Sequence, residues 1–471
     1  MQKIKSVFVN MGIGTIIYVL ISALVTPIIT RIFPPEEYGR WSIFVLYGTL
    51  GTNFMLLGLD QAFVRYFYAE DSLGYRSKLL KICIRGPLLI TSALIVVAIV
   101  IGMLLGAAIA MIVLFGVYLI ALEISRFGSN MLRLDYRVKL YSLMQCLDKI
   151  FFLIMAVALA WTCDLSDTMI VSTVLASLIL MLMYFLMCRR MWLGKAEKCD
   201  YNFNVKDIYK YAFPLAISLI ITSLFQATDK TLLKVMLGDA EVGIYAGAMS
   251  IVNIFAIIQT VFTTVWMPMA IEHHEKGGTH QFYIKANKLI SIVMILFGMT
   301  IILFKDILIY FLGKEYQSAS SLIPFLIFLP IMYTISETTV LGMVFKKKTA
   351  YQIWVGIVAL LTNVIIDILL IPRLGAFGAA IATAASYLMF FAMRTFLSQR
   401  LYKINFDFIS FAFLLACLIF FTVADIFVQH FIFKLILFAV LVLLIALLNR
   451  KTIIEFIKSL RSKNEDINTG I

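Results

Sequence analysis

The sequence predicts an all-α polytopic membrane protein with about 14 transmembrane helices. Hydrophobic residues make up 62% of the 471 positions and charged residues only 14%, against roughly half and a quarter in an ordinary soluble domain. Apolar runs of about 20 residues, the length at which a helix crosses a hydrocarbon core of about 30 Å, recur along the whole chain. The sequence leaves no room for a soluble domain between them.

The apolar runs, separated by short polar segments, give the order of the predicted spans. They are residues 8–33, 41–63, 86–105, 107–125, 143–162, 168–188, 212–236, 244–269, 289–312, 319–345, 351–371, 376–399, 407–425 and 434–449. The ends of such spans shift by a few residues when they are taken from sequence alone.

The segment TRIFPPEEYGRW, residues 30–41, stands between the first two spans. Pro34 and Pro35 are expected to end one helix, because proline cannot continue the backbone hydrogen-bond ladder. Gly39 is expected to allow a tight turn, and Trp41 is suited to anchor at the membrane interface. The segment is therefore predicted to be the outward reversal between helices 1 and 2.

The placement of Lys and Arg predicts the orientation. Loops on the side of the N-terminus hold most of these residues, among them Arg76, Arg137, Arg190 and Lys348. The side rich in Lys and Arg is cytoplasmic, so both termini are expected in the cytoplasm. The net charge of +13 is then a topology signal, and no nucleic acid partner is expected, since that function requires a basic patch on a soluble face.

An internal repeat predicts the domain organisation. FPPEEYGRW at 33–41 aligns with LGDAEVGIY at 237–245, and the two copies share an acidic residue, a glycine two positions on and an aromatic residue two further. Each copy joins the first two helices of a six-helix set, which predicts two lobes related by an axis along the membrane normal. Chance reuse of Glu and Gly in short outward turns is the alternative. The predicted domains are an N-terminal six-helix lobe (1–190), a cytoplasmic linker (191–210), a C-terminal six-helix lobe (211–404), transmembrane helices 13 and 14 (405–450) and a cytoplasmic tail (451–471).

Two lobes of six helices with two further helices resemble the polysaccharide flippases of the multidrug/oligosaccharidyl-lipid/polysaccharide exporter superfamily. The segments that carry the resemblance are TRIFPPEEYGRW, GLDQAFVRYFYAE at 58–70, LGDAEVGIYAGAMS at 237–250 and PRLGAFGAAIATAAS at 372–386. The resemblance implies a flippase that moves undecaprenyl-diphosphate-linked oligosaccharide repeat units, such as those of O-antigen in lipopolysaccharide or of capsule, across the bacterial inner (cytoplasmic) membrane by alternating access. A lipid II flippase and a cation-coupled multidrug antiporter of the same superfamily are the alternatives.

The same resemblance implies the partners. They are the lipid-linked oligosaccharide substrate, the surrounding membrane lipids, a polysaccharide polymerase and a chain-length regulator.

Cationic side chains inside the spans are candidates for binding the diphosphate. A charge at the centre of a transmembrane helix costs about 2.5 to 3.5 kcal/mol on insertion scales, so such residues usually face a cavity. Arg and Lys both suit phosphate, and the candidates are Arg65, Arg126, Lys149, Lys230 and Arg394. In the alternative interpretation, Arg65 and Arg394 extend to the interface, and Glu123, one turn from Arg126, neutralises that arginine.

Oxygen-bearing side chains in the second half of the chain form a candidate cation site. Asn363 and Asp367 are four residues apart and so share one helix face, and they, Asp229 and Thr383 lie at roughly 7 to 14 Å from the predicted outward ends of their helices. Such oxygen ligands suit a hard cation such as Na⁺, and a carboxyl group among them can carry H⁺ instead.

The resemblance to lipid II flippases implies a sodium site at these same four positions, with the carbonyl of Ala379 as a further donor. Lys230 departs from that pattern. If its amine turns inward to Asp229, an internal ion pair replaces the cation and the cluster is structural.

The sequence predicts a transporter and not an enzyme. It contains no G-x-x-x-x-G-K-[ST] phosphate loop, and the predicted outward loops are short, the longest lying near residues 313–318. No catalytic residue, metal or cofactor is expected beyond Na⁺ or H⁺ as the coupling ion. EHHEKGGTH at 272–280 lacks the H-E-x-x-H spacing of a zinc site and is expected to be a solvated cytoplasmic loop.

Overall fold

A computed structural model describes residues 2–106, 108–162, 167–194, 204–348, 350–428, 430–450, 452 and 454, with the side chains of 2–13 and 256–257 left out. Residues 195–203 of the predicted linker and most of the predicted tail lie outside these residues. The described part of the chain is helical and contains no strand, which confirms the all-α fold class. A membrane explains this restriction, because a helix satisfies its backbone hydrogen bonds within its own segment.

Eighteen α-helices, α1 to α18, and one 3₁₀-helix make up the described residues. In chain order the α-helices are Gln2–Ile32, Pro35–Leu56, Leu59–Tyr66, Leu73–Leu105, Ile109–Leu134, Val138–Thr162, Thr168–Met187, Arg189–Leu193, Val205–Leu237, Asp239–Glu275, His280–Tyr310, Ile323–Leu326, Phe328–Thr339, Leu341–Phe345, Tyr351–Leu374, Ala376–Leu401, Phe408–Phe427 and Phe431–Leu448, and the 3₁₀-helix, Lys314–Leu322, lies between α11 and α12.

Twelve helical segments of the described chain are long and apolar enough to cross a membrane, or up to 14 if each of two bent pairs counts as one span. This agrees with the predicted number of transmembrane helices. The bent pairs are α2 with α3, at an angle of 60°, and the two parts of α10, at 44°. The second and eighth predicted spans are therefore not straight helices.

The bend between α2 and α3 comes from two residues with positive φ. Leu57 has φ 47° and Gly58 has φ 72°, a left-handed conformation that interrupts the helix. A Cβ at Gly58 would also lie 2.5 Å from the carbonyl oxygen of Ala212 in α9. Glycine is thus required there both for its φ and for the close approach of α9.

Packing divides the chain into two compact units. The first unit is Met1–Ser250 with Leu312–Tyr316, and the second unit is Ile251–Phe311 with Gln317–Ile471. The first unit holds α1 to α9 and the start of α10, and the second holds the rest of α10 and α11 to α18. The lobe boundaries near residues 190 and 211 remain a prediction.

The connection between the first two helices is shorter than the sequence predicts. α1 ends at Ile32 and α2 begins at Pro35, so only Phe33 and Pro34 connect them. Pro35 suits the first helical position, where no backbone N–H is needed, and Glu36 and Glu37 stabilise the positive end of the helix. The prediction that Gly39 forms the turn is wrong, since Gly39 lies inside α2.

Gly39 and Gly243, the glycines of the two repeat copies, pack against each other's segments in the first unit. A Cβ at Gly39 would lie 1.9 Å from the carbonyl oxygen of Asp239 and 2.9 Å from the nitrogen of Gly243. A Cβ at Gly243 would lie 1.8 Å from the carbonyl oxygen of Pro35. The glycines therefore allow the backbones at the starts of α2 and α10 to touch.

The aromatic residues of the repeat copies also bind neighbouring helices. The indole N–H of Trp41 donates to the hydroxyl of Thr173 in α7 at 2.7 Å, and its ring stacks on Phe152 of α6 with the centroids 5.1 Å apart. Tyr245 donates its hydroxyl to Asp229 of α9. Trp41 thus joins α2 to α6 and α7, and its role as an interface anchor stays a prediction.

We expect Gly39→Ala to lower the melting temperature of the purified protein. The added methyl group meets backbone atoms that cannot rotate away, and overpacking of this kind costs about 1 to 3 kcal/mol. Gly86→Ala is the matched control, because the nearest atom to its Cβ is the hydroxyl of the Tyr209 side chain at 3.1 Å. Equal melting temperatures for Gly39→Ala and the wild type would contradict the close contact.

Candidate functional site

A polar cavity of about 470 Å³ lies within the first unit. Side chains of α1, α2, α3, α5, α6 and α7 line it, and most of them carry hydrogen-bonding groups. Its polar lining residues are Tyr18, Thr49, Thr52, Asp60, Gln61, Arg126, Ser129, Asn130, Arg133, Tyr141, Gln145, Asp148 and Tyr184. This volume is in the range of small-molecule sites. We call it the first-unit cavity.

One face of α5 supplies the arginines of the cavity. Arg126, Asn130 and Arg133 recur at helical spacing, so their side chains line up along one side of the helix. Arg133 also donates to the side-chain oxygen of Asn130 at 3.2 Å. The predicted substrate residue Arg126 therefore faces a polar space, in the company of a second guanidinium group.

Glu123, one turn before Arg126 on α5, has its hydrogen-bond partner on α4. It is fully buried and accepts a hydrogen bond from the hydroxyl of Thr91 at 2.5 Å. It does not line the first-unit cavity, although Leu122 beside it does. The structure thus gives Glu123 a partner other than Arg126.

Two of the three further predicted cations of the first unit have polar neighbours. The Lys149 amine lies 3.4 Å from the carboxylate of Asp148, which lines the first-unit cavity. The Lys230 amine donates to the hydroxyl of Ser42 in α2 at 2.7 Å. Arg65 is exposed in the last turn of α3.

Arg394, the fifth predicted substrate cation, is buried within the second unit. It donates to Glu337 at 2.8 Å and to the hydroxyl of Ser336 at 2.6 Å. Its guanidinium also lies over the rings of Tyr333 and Phe390, 5.5 and 5.4 Å from their centroids. Contact with a substrate would require this ion pair to open, and the residue does not extend to an interface as the alternative suggested.

The predicted cation-site residues are distributed over both units. Asp229, in the first unit, accepts the hydroxyl hydrogen bond of Tyr245. Asn363, Asp367 and Thr383 are buried in the second unit, and Thr383 donates to the carbonyl of Ala379 at 3.0 Å. We call these three residues the second-unit oxygen set.

Close packing of α15 and α16 brings Asp367 and Thr383 of the second-unit oxygen set to a similar level. A Cβ at Gly378 would lie 2.7 Å from the backbone of Leu370, and the two helices reverse direction at Gly375. Asp367 precedes Leu370 by three residues and Thr383 follows Gly378 by five. At about 1.5 Å per residue, the two side chains lie within about 3 Å of the same level.

Several cavity residues were missed by the sequence analysis. Asp60 and Gln61 follow the bend at Gly58, which directs α3 to the cavity, and Gln61 donates to Asp60 at 2.9 Å. Gln145 donates to the hydroxyl of Tyr141 at 3.0 Å. Neutral amides and phenols do not stand out in an apolar sequence, and only the i, i+3, i+4 spacing on α5 would have indicated the polar face.

The segment at 272–280 is not a free loop. α10 continues to Glu275, and His274 stacks on Phe345 with ring centroids 3.8 Å apart. His273 packs on Phe282, and His280 hydrogen-bonds the hydroxyl of Tyr402 at 2.8 Å. Among the described residues no group of three His, Cys, Asp or Glu side chains is arranged to hold a metal ion.

The sequence model of a family described as polysaccharide biosynthesis protein matches residues 4–274. Among solved structures, the fold is similar to that of the lipid II flippase MurJ in an inward closed conformation, with a TM-score of 0.72 and 15% identity over 94% of this chain and 100% of that chain. A comparison with curated protein sequences gives no match.

Two multidrug transporters are also similar in fold. An inward-facing multidrug resistance MATE family transporter of the MOP superfamily has a TM-score of 0.55 and 16% identity over 82% of this chain and 93% of that chain. A mutant of the Vibrio cholerae MATE transporter VcmN has a TM-score of 0.54 and 16% identity over 85% and 98%. At these identities the similarity shows the fold alone.

We expect Arg394→Leu alone to destabilise the protein by about 3 to 5 kcal/mol, because it leaves Glu337 buried without its cation. The double variant Arg394→Leu with Glu337→Leu should cost much less than the sum of the single changes. Thermal unfolding of the four proteins in detergent micelles measures this coupling. The exposed pair Lys276 and Glu272 is the control, with a coupling below about 1 kcal/mol, and additive effects at Arg394 and Glu337 would contradict a buried ion pair.

Proposed function

Because the chain belongs to the polysaccharide biosynthesis protein family, whose model matches more than half of it, we propose that it is a flippase for undecaprenyl-diphosphate-linked oligosaccharide repeat units. It would move them from the cytoplasmic to the periplasmic leaflet of the bacterial inner membrane by alternating access. The observation that carries the proposal is the first-unit cavity, since a hydrated anionic head group must be kept from hydrocarbon during its passage.

The arginines of α5 are the proposed diphosphate ligands. Arg126 and Arg133 present planar guanidinium groups that match phosphate oxygens in pairs. Asp60 and Asp148 on the opposing helices limit the positive charge of the cavity, so the anion is held without being trapped. Lys149 does not itself line the cavity, but it pairs with Asp148 of the lining and is a further candidate ligand if that pair opens.

The amides and phenols of the cavity are the proposed ligands of the sugars. Gln61, Asn130 and Gln145 offer both donors and acceptors to hydroxyl groups, and Tyr141 and Tyr184 add aromatic faces with a polar tip. A lining of this kind binds many sugar arrangements. This suits a head group that is recognised chiefly by its diphosphate.

The second-unit oxygen set is the proposed site of a coupling ion, Na⁺ or H⁺. A carboxylate and a hydroxyl at a similar level of α15 and α16, with an amide one turn further along α15, provide hard oxygen donors. Binding of the ion would shift the equilibrium between the conformations of the transporter by the difference in its affinity for them.

The extent of the structural similarity favours a lipid-linked substrate over a drug. The similarity to MurJ extends over 94% of this chain, and that to the two multidrug transporters over 82% and 85%. A lipid II flippase therefore remains the second candidate function. The two flippase functions differ in the sugars attached to the diphosphate, and transport of each substrate separates them.

We expect Arg126→Gln to reduce flipping of a fluorescent undecaprenyl-diphosphate oligosaccharide in proteoliposomes by about tenfold to hundredfold. The range follows from the loss of a hydrogen bond to a charged group. Arg31→Gln is the matched control, because Arg31 is exposed in the last turn of α1 and does not line the cavity. Equal rates for wild type and Arg126→Gln would exclude this residue as a ligand, and no transport by the wild type would contradict the flippase.

We expect Asp367→Ala to abolish the response of flipping to an imposed Na⁺ or H⁺ gradient. The variant loses the only carboxylate of the second-unit oxygen set, so the ion has no counter-charge there. The measurement is the ratio of flipping rates with and without each gradient, with membrane insertion checked separately. A gradient response equal to that of the wild type would assign Asp367 a structural role.

A further inference from the structure

A second group of buried charges lies in the second unit, and none of its residues has a proposed role in transport. The Lys305 amine of α11 lies 2.7 Å from one carboxylate oxygen of Asp425 in α17, and the Lys434 amine of α18 lies 2.6 Å from the other. The side chains are 9%, 3% and 8% exposed, respectively. We call these three residues the lysine cluster.

The lysine cluster lies near the ends of its three helices. Lys305 precedes the end of α11 by five residues, Asp425 precedes the end of α17 by two, and Lys434 follows the start of α18 by three. At about 1.5 Å per residue the three lie about 3 to 8 Å from those ends. α17 and α18 have 20 and 18 residues, close to the length of about 20 that crosses the hydrocarbon core, so the lysine cluster lies just inside the boundary between that core and the lipid head groups.

Helix dipoles do not account for the arrangement. Asp425 lies in the last turn of α17, whose end carries partial negative charge, and Lys434 lies in the first turn of α18, whose end carries partial positive charge. Exchanging the two charges would satisfy both dipoles, but it would place Lys305 of α11 against a second cation. The carboxylate at the end of α17 is therefore explained by the two lysines with which it pairs.

The lysine cluster carries one positive charge in excess, since two ammonium groups share one carboxylate. A buried charge without a counter-ion is costly. We propose that Lys305 and Lys434 bind the phosphate group of a membrane lipid. A phosphodiester carries a single negative charge and brings the site to neutrality, whereas a diphosphate would leave it negative.

The surroundings of the lysine cluster suit the apolar part of such a lipid. Phe304 and Phe431, each beside or one turn from a lysine, have ring centroids 6.3 Å apart, and both are exposed. Ile307, Phe427 and Phe433 are 54%, 78% and 62% exposed. Acyl chains can therefore lie on the same helix ends whose lysines hold the phosphate, and the amines, although mostly buried, retain a small accessible surface.

Thermal stability of the full-length protein in maltoside micelles, titrated with phosphatidylglycerol, tests the proposal. The wild type should gain melting temperature in a saturable way, and diacylglycerol, which lacks the phosphate, should not reproduce the gain. Lys434→Gln should bind phosphatidylglycerol about tenfold more weakly, as expected for the loss of one charged hydrogen bond. Lys276→Gln, at an exposed lysine of the same unit, should titrate as the wild type does.

Asp425→Asn distinguishes a lipid site from an ion pair that only joins helices. Removal of the competing carboxylate should tighten phosphatidylglycerol binding about tenfold even if the lipid-free protein is less stable. A variant that is merely less stable, with lipid binding unchanged or weaker, overturns the proposal. Lys434→Arg keeps the charge and should retain binding if Lys434→Gln fails to fold.

Titration with other anions identifies the source of the phosphate. An equal gain from inorganic phosphate at the same concentration would overturn the lipid assignment, as would preference for undecaprenyl diphosphate over phosphatidylglycerol. Retention of wild-type affinity in Lys434→Gln would overturn the assignment of the lysines. None of these results depends on transport, so they stand apart from the test of the flippase.

Discussion

A charge within the hydrocarbon region must be paired, placed in a polar cavity or carried to the interface. Three groups of charged residues in this molecule meet that constraint in different ways. Arg394 satisfies it by pairing with Glu337, and Arg126 by facing the first-unit cavity. The lysine cluster satisfies it in part, by sharing one carboxylate near the ends of three helices. Charged residues in similar apolar helices therefore have different roles, and hydropathy alone does not distinguish these roles.

The same constraint acts on the backbone, whose polar groups must be satisfied within the helices. Helices can then be brought together only by small residues or by polar side chains between them. Gly39 and Gly243 do the first, because they allow the starts of α2 and α10 to touch. Trp41 and Tyr245, two residues further along each copy, do the second by hydrogen bonding to Thr173 and Asp229. The repeated motif is thus explained by packing, and the cavity is built on the helices that it holds.

The fold class and the number of spans could be predicted from the sequence, because the length and hydropathy of a span are local properties. The sequence also shows directly which charged residues lie within the spans. It does not show their partners: Glu337 and Arg394 are 57 residues apart, and no local pattern joins them. The bend that brings Asp60 to the cavity depends on Leu57 in a left-handed conformation. Leucine rarely adopts this conformation, so the sequence does not predict the bend. The sequence suggests a turn at Gly39 because Asp239, the residue that packs against this glycine, is distant in sequence and leaves no local signal.

If the first-unit cavity holds the diphosphate oligosaccharide, photo-crosslinking from the cavity wall will capture it there. A photoreactive amino acid at Gln145, which lines the cavity, would be irradiated in membranes with undecaprenyl-diphosphate oligosaccharide and, separately, with undecaprenyl phosphate alone. The same probe at Ile154, exposed on the same helix at 52%, is the matched control. We expect an adduct from position 145 that contains the sugars, and none containing them from position 154. Adducts of equal yield from both positions, or none from position 145, would contradict the account.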